Sequence, residues 1–250
     1  MTRFRSLACA LTILTAATLS ACGKSDDTQR TASAAVGTAP AAASALSQVN
    51  ALPFTIEAAN LSNLFRDNLK VSQVQVGVTG GSESEWAATA IAIAERVATF
   101  GANSIDVSVR RNEITQSQGA RFREVARVYF SPDPAHTVWK GDPQWSIKVA
   151  DAAHLSTQRD VEITDAYNAE NRWSLDKGLD DDDADRKAGA IVAKKFQLPK
   201  DWQLPIGNTL REISKESIVV VPEPASEGLA KLTRCLKGKI VAGMTACTNS

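Results

Sequence analysis

Histidine and cysteine, on which many catalytic and metal sites depend, are scarce in this sequence. Its 250 residues include two histidines, His136 and His154, and four cysteines. Neither histidine stands in the His-Glu-x-x-His pattern of zinc hydrolases, and no Gly-x-Ser-x-Gly motif offers a serine nucleophile. We therefore predict no metal, no cofactor and no catalytic residue, while a site assembled from distant residues stays open.

The chain also lacks an excess of charge of either sign. Lysine and arginine together number 28, as do aspartate and glutamate. Since nucleic-acid binding depends on a surplus of cations that neutralise phosphates, this balance predicts no nucleic-acid partner. Long apolar runs are missing too, because the run from Leu7 to Leu19 is shorter than the about 20 residues that a membrane-spanning helix needs.

The first residues instead follow the pattern of a secretory signal peptide. Arg3 and Arg5 give a positive start, an apolar run follows, and small residues close it. The residues that end the run, Leu19-Ser20-Ala21-Cys22, resemble the lipobox of bacterial lipoproteins, Leu-(Ala/Ser)-(Gly/Ala)-Cys. The resemblance implies that residues 1–21 are removed and that Cys22 carries lipid at the new N-terminus.

The same resemblance implies a location. In many such lipoproteins an aspartate after the lipidated cysteine favours the inner membrane, and this chain has Gly23. We therefore expect an outer-membrane anchor that faces the periplasm. Residues 22–52 are rich in alanine, serine and threonine and cannot bury enough apolar surface to offset the entropy of ordering, so we expect a flexible tether there.

The remaining cysteines fit an exported chain. Cys9 leaves with the signal peptide and Cys22 takes lipid, which leaves Cys235 and Cys247. A pair of this kind in an oxidising compartment is most simply a disulfide. Two reduced thiols or a metal pair are the alternatives, and the shortage of histidine disfavours zinc.

Hydrophobic periodicity predicts an α+β domain over residues 53–152. We expect a helix over residues 55–68, then a strand over 71–78. A second helix is expected from Glu83, where Ser82 and Glu85 form a capping box. Valine and isoleucine that alternate with polar residues then predict three further strands. Their centres are residues 105–109, 126–130 and 145–149.

The resulting order, β-α-β-β-β, predicts a mixed four-stranded sheet with a helix on one face. A crossover through the helix makes the first two strands parallel, and the rest are antiparallel. Residues 153–250 are predicted to form a smaller, mostly helical region. Its expected elements are helices near 153–172, 188–196 and 226–237 and a brief strand at 218–221.

Strand alternation places a polar set on the sheet face opposite the helix. The set comprises Gln73, Gln75, Asp106, Ser108, Arg110, Arg127, Tyr129, Ser146 and Lys148. It is either an ordinary solvated sheet surface or the most informative binding surface in the chain. The second and third strands are also bracketed by five arginines, Arg110, Arg111, Arg121, Arg123 and Arg127. They predict either contact with an anionic partner or charge protection of a sheet edge.

Other motifs have ordinary structural interpretations. The stretch VGVTGGSESE lies where phosphate loops lie, but its two glutamates would repel an anion, so helix capping is preferred. The acidic residues Asp180–Asp183 and Asp185 suit a helix N-terminus, with weak cation binding as the alternative. Trp139 and Trp145 are expected either to pack a loop onto the sheet or to form an aromatic patch.

Together these observations predict a lipid-anchored bacterial envelope protein without enzymatic activity. It contacts the membrane through the lipid on Cys22 and binds or scaffolds an envelope protein or cell-wall component. The alternative is a periplasmic hydrolase or small-molecule-binding enzyme. Its site would be built from both halves of the chain and would use His136 or His154 with a carboxylate.

The lipid anchor gives the first testable prediction. Cys22→Ser removes the thiol that accepts the lipid, so labelled palmitate is no longer incorporated and signal-peptide removal slows. Metabolic labelling measures the first effect, and immunoblotting of precursor and mature chain measures the second. Cys9→Ser is the matched control, because that cysteine lies inside the leader. Unchanged labelling of the Cys22→Ser chain would disprove the anchor.

Overall fold

A seven-stranded mixed sheet is the frame of the fold. The computed structural model describes residues 48–64, 69–116, 120–138, 141, 143–221, 226–237 and 244–248. The strands within these ranges are β1 (Gln48–Val49), β2 (Phe54–Leu64), β3 (Leu69–Val78), β4 (Ser104–Arg111), β5 (Glu124–Phe130), β6 (Trp145–Ala150), β7 (Leu210–Ile213), β8 (Val219–Val220) and β9 (Met244–Thr248). The helices are α1 (Glu83–Ala98), α2 (Gln158–Asp176), α3 (Asp181–Phe196) and α4 (Glu227–Leu236).

The predicted signal peptide, Cys22 and most of the predicted tether lie outside the described residues. Among the helices of the described ranges, none is long and apolar enough to span a bilayer.

The strand order in the sheet is β7-β6-β5-β4-β3-β2-β9, and β1 pairs with β8 in a separate parallel ribbon. Within the large sheet, β3 and β4 are parallel, and every other neighbouring pair is antiparallel. The predicted α+β class is therefore confirmed. So is the predicted β-α-β-β-β unit, which corresponds to β3-α1-β4-β5-β6.

Helix α1 covers one face of the sheet. Its start is the predicted capping box, in which the Ser82 hydroxyl accepts a hydrogen bond from the Glu85 backbone and the Glu85 carboxylate accepts one from the Ser82 backbone at 2.9 Å. Trp86, Ile93 and Val97 of α1 are fully buried. The helix packs against β4, β5 and β6, while α4 packs beside it over β2, so both helices share one core.

The predicted helix over residues 55–68 is wrong, because Phe54–Leu64 forms strand β2. The reason is a β-bulge after Ile56, which leaves Glu57 without a partner in the ladder to β3. Across the bulge the buried apolar position moves from Ile56 to Ala59. That spacing of three residues imitates one face of a helix and hides the alternation of a strand.

The C-terminal region is helical, as predicted, and it also completes the sheet. Helices α2 and α3 pack against each other, and α3 begins at Asp181, earlier than expected. Strand β7 pairs with β6 at one edge of the sheet, and β9 pairs with β2 at the other. Strands from both sides of the predicted boundary at residue 152 therefore belong to one sheet.

The backbone places the two cysteines of the predicted bridge on neighbouring elements. Cys235 lies on α4 and Cys247 on β9, and α4 contacts both β9 and β2. The disulfide between Cys235 and Cys247 stays a prediction.

Peptide mapping tests this pairing. Digestion of the chain without reductant should release Cys235 and Cys247 in one linked peptide pair, which mass spectrometry identifies. Because the bridge closes a short loop, its loss in Cys235→Ser should lower the free energy of unfolding by roughly 3 kcal/mol on the chain-entropy account. Alkylation of both cysteines in the untreated chain would contradict the bridge.

Candidate functional site

The open face of the sheet, opposite α1 and α4, carries a polar cleft. Its cavity measures about 280 Å³. The lining residues come from β3, β4, β5 and the segment just before β5, and they are Gln73, Val74, Gln75, Asp106, Ser108, Arg110, Ala120, Arg121, Glu124 and Arg127. Because convergent charged groups in a concavity are typical of binding and catalytic sites, we take this cleft as the candidate site.

Strand alternation explains which side chains reach the cleft. On β3, β4 and β5, alternate positions are apolar residues, mostly valines, buried on the helix side of the sheet, so the residues between them point to the open face. The register aligns Gln75 with Ser108 and Ser108 with Arg127. The predicted polar set is thus the set around the cleft, and its members beyond the cavity, towards β6, are Tyr129, Ser146 and Lys148.

Arg127 and Asp106 form a bidentate ion pair in the cleft. Nε of Arg127 donates to Oδ1 of Asp106 at 3.1 Å, and Nη2 donates to Oδ2 at 2.8 Å. These hydrogen bonds raise the pKa of Arg127 further above its ordinary value. The pair therefore fixes the direction of a guanidinium group while 38 % of the Arg127 side chain stays exposed.

Tyr129 lies beside this ion pair. The Arg127 guanidinium carbon is 5.0 Å from the centre of the Tyr129 ring, within the range of a cation–π contact. Burial, and after it the negative charge of Asp106, raises the pKa of the Tyr129 hydroxyl. The ring thus gives Arg127 a second support, and the phenol stays protonated at neutral pH.

Glu57 holds two arginines beside the cleft. Its Oε2 lies 3.2 Å from Nη1 of Arg110, and its Oε1 pairs with Nη2 of Arg123. The bulge after Ile56 directs this carboxylate towards Arg110 on β4 and Arg123, the residue before β5. Sequence reasoning missed Glu57 because its segment was interpreted as a helix. The alternation of Phe54 and Ile56 with polar residues is the signal that could have revealed it.

Ser108 lies at the floor of the cleft and is only 6 % exposed. Its hydroxyl donates to Oε1 of Glu124 at 2.6 Å and accepts a hydrogen bond from Nε of Arg110 at 3.3 Å. The hydrogen bond from Arg110 thus occupies a lone pair of the Ser108 oxygen. The Glu124 carboxylate accepts a hydrogen bond from the Ser108 hydroxyl, but it is a far weaker base than the serine alkoxide and does not remove the proton. These contacts make Ser108 a link between β4 and β5 and a poor nucleophile.

The arginines predicted as a group have different roles. Because β4 and β5 lie in the middle of the sheet, the interpretation of their charges as edge protection is wrong. Arg111 donates to backbone carbonyls, among them that of Ser156, and burial lowers its pKa. Arg121 is exposed, with its guanidinium carbon 4.9 Å from the centre of the Phe122 ring. The arginines that line the cleft are Arg110, Arg121 and Arg127.

Asn208 fixes the backbone that carries Arg121 and Glu124. Its Nδ2 donates to the carbonyl oxygens of Phe122 and Glu124 at 3.1 and 3.0 Å. Its Oδ1 accepts from the Ser156 backbone at 2.7 Å, and its own backbone N–H donates to the Arg121 carbonyl at 2.7 Å. One side chain from the C-terminal region thus sets the rim of the cleft, and no sequence motif indicated it.

The two histidines do not line the cleft. Nδ1 of His136 lies 2.7 Å from Asp133, and Nδ1 of His154 lies 2.7 Å from Asp151. Both histidine side chains are largely exposed, at 73 % and 81 %. The hydrogen bonds lower the pKa of each aspartate. In the described part of the chain, the histidines therefore make surface contacts with their own aspartates and are not brought together with the cleft carboxylates.

The acidic run starts a helix, which is the preferred interpretation. Asp180 accepts a hydrogen bond from the Asp183 backbone at 2.8 Å and caps α3, whose first turn contains Asp181–Asp183. Carboxylates in this position complement the helix dipole. Across the described ranges, no three or more His, Cys, Asp or Glu side chains are grouped so that they could hold a metal ion.

The predicted tryptophan pair is only partly described. Trp145 stacks on Phe130, its partner across β5 and β6, with ring centres 3.8 Å apart, so this contact joins two strands and does not test the loop-packing interpretation. Trp139 lies outside the described residues.

Comparison with known proteins adds one resemblance to this geometry. No protein-family model matches the chain, and no curated protein matches it. A solved structure that the chain resembles is the crystal structure of a DUF487 family protein from Desulfovibrio piger. That resemblance has 16 % identity and a TM-score of 0.49, and it covers 68 % of this chain and 99 % of that chain. Because the similarity is this distant, the site is interpreted from its own geometry.

The role of Asn208 gives a testable prediction. Asn208→Ala leaves the Ser156 N–H without its acceptor and removes one donor from the carbonyls of Phe122 and Glu124, so the free energy of unfolding should fall by about 2–3 kcal/mol. Thermal unfolding of the purified full chain, followed by circular dichroism, measures the change. Asn168→Ala is the matched control, because Asn168 is exposed on α2 and alanine favours a helix. Equal thermal unfolding midpoints for the two variants would show that the Asn208 side chain does not stabilise the fold.

Proposed function

We propose that this chain is a bacterial envelope lipoprotein that binds an envelope component through the open face of its sheet. Lipid on Cys22 anchors it, and it faces the periplasm at the outer membrane. The lipobox-like residues Leu19–Cys22 and the alanine- and serine-rich residues 22–52 support the anchor and the tether. The observation that carries the binding role is the cleft, where ion pairs hold charged groups in position on a half-exposed sheet face.

The chemistry of the cleft favours binding over catalysis. The described residues that line it include neither histidine nor cysteine, and Ser108 is held between Glu124 and Arg110. The arginines that line the cleft are fixed by hydrogen bonds or ring contacts, which suits recognition of a complementary group. The hydrolase alternative gains no support, because its candidate bases, His136 and His154, pair with aspartates of their own turns.

Site-directed crosslinking tests the proposed surface. A photo-crosslinking residue is placed at Gln73, which is exposed on the open face, and in a matched variant at Glu95, which is exposed on α1. Irradiation of intact envelopes should convert the Gln73 variant, and not the Glu95 variant, into a heavier species. Immunoblotting detects it whatever the chemical nature of the partner. Equal crosslinking from both positions, or none from either, would overturn the proposal.

A further inference from the structure

We propose that the cleft binds a small ligand that carries one oxyanion and several hydroxyl groups, as an acidic sugar or a sugar phosphate does. The inference rests on the proposed function, because it names the chemistry recognised by the open sheet face. It follows from four features of the cleft, which are the balance of charge, the exposed cation, the unused hydrogen-bonding groups and the size.

The charge around the cleft has a positive surplus. Among the described residues, three guanidinium groups and two carboxylates line the cavity, and they belong to Arg110, Arg121, Arg127, Asp106 and Glu124. A further carboxylate beside the cleft, that of Glu57, is shared between Arg110 and Arg123, so it cannot neutralise both. An anionic group therefore complements the cleft better than a neutral or cationic group does.

Arg121 is the cation best placed to meet that anion. Its side chain is exposed, and within the described part of the chain no carboxylate pairs with it. Two contacts restrict its position, because its guanidinium lies over the Phe122 ring and its carbonyl accepts a hydrogen bond from the Asn208 backbone. A guanidinium presents parallel N–H groups that match a carboxylate or a phosphate.

The hydrogen-bonding groups of the cleft that have no partner among the described residues favour hydroxyls on the same ligand. Glu124 accepts from Ser108 through Oε1, and among the described residues its Oε2 has no partner. The side-chain amide of Gln75 likewise makes no hydrogen bond with the described residues. A carboxylate needs a donor, and an amide offers both a donor and an acceptor. A hydroxyl serves each of these groups, whereas a bare oxyanion cannot donate to Glu124.

The size and lining of the cleft exclude large apolar ligands. Its volume of about 280 Å³ lies just below the range of about 300–1,000 Å³ that is typical of small-molecule sites. Among the described residues that line it there is no aromatic side chain, so these residues offer no ring on which an apolar ligand could stack. One sugar-sized unit, free or at the end of an envelope polymer, fits this description.

Isothermal titration calorimetry of the full, lipid-bearing chain in detergent micelles tests the ligand class. The titrants are glucuronate, glucose 6-phosphate, glucose and inorganic phosphate. Glucuronate or glucose 6-phosphate should bind at least about 10-fold more tightly than glucose or inorganic phosphate. Glucose lacks the oxyanion, and inorganic phosphate lacks the sugar hydroxyls. The tighter of the two acidic sugars identifies a carboxylate or a phosphate as the oxyanion.

Two variants locate the binding. Arg121→Gln should weaken binding of the preferred titrant by about 10-fold, because it removes a charge-assisted contact and leaves the ion pairs of the cleft intact. Arg186→Gln is the matched control, because Arg186 is exposed on α3 and pairs with Asp183 of its own helix. Circular dichroism confirms that both variants keep the fold.

Each contrary result has a defined meaning. Equal affinity for glucose would overturn the oxyanion requirement, and equal affinity for inorganic phosphate would overturn the hydroxyl requirement. Equal weakening by both arginine substitutions, or by neither, would place the ligand elsewhere. Absence of binding by all four titrants would overturn this inference, while crosslinking at Gln73 would still uphold the proposed binding surface.

Discussion

The packing of α1 against β4, β5 and β6 is the interaction on which the rest of the structure depends. Trp86 and the buried aliphatic side chains of the helix remove one face of the sheet from water, and burial of such surface is worth roughly 25 cal/mol per Å². Once that face is fixed, the two-residue period of each strand sends every intervening side chain to the other face. The polar cleft is therefore a geometric consequence of the core.

The charges of the open face are ordered before any ligand arrives. Asp106 fixes Arg127, Glu57 holds Arg110 and Arg123, and a bulge in β2 is the local irregularity that aims Glu57 at its partners. Side chains that are already positioned lose less conformational entropy on binding, so such a cleft is suited to recognition.

The central unit of the fold could be predicted from the sequence because each of its signals is local. Alternation of apolar and polar residues indicates β3 to β6, and Ser82 with Glu85 indicates the start of α1. The polar set on β3, β4 and β5 followed from the same alternation and includes most of the charged lining of the cleft. Strand β2 was missed because its bulge interrupts the two-residue alternation of apolar and polar side chains. Strands β7 and β9 were missed because they are short and lie at the edges of the sheet, where pairing with the neighbouring strand determines the extended conformation.

The sequence by itself determined the features that depend on neighbouring residues. These are the lipobox-like Leu19–Cys22, the order of the central strands, and the separation of apolar from polar side chains along each strand. Only the tertiary structure decided which charges meet. Asn208 reaches the backbone of Phe122, and Glu57 reaches Arg123, across long separations in the chain. Such contacts have no sequence period, because they exist only after the sheet has closed and brought distant segments together.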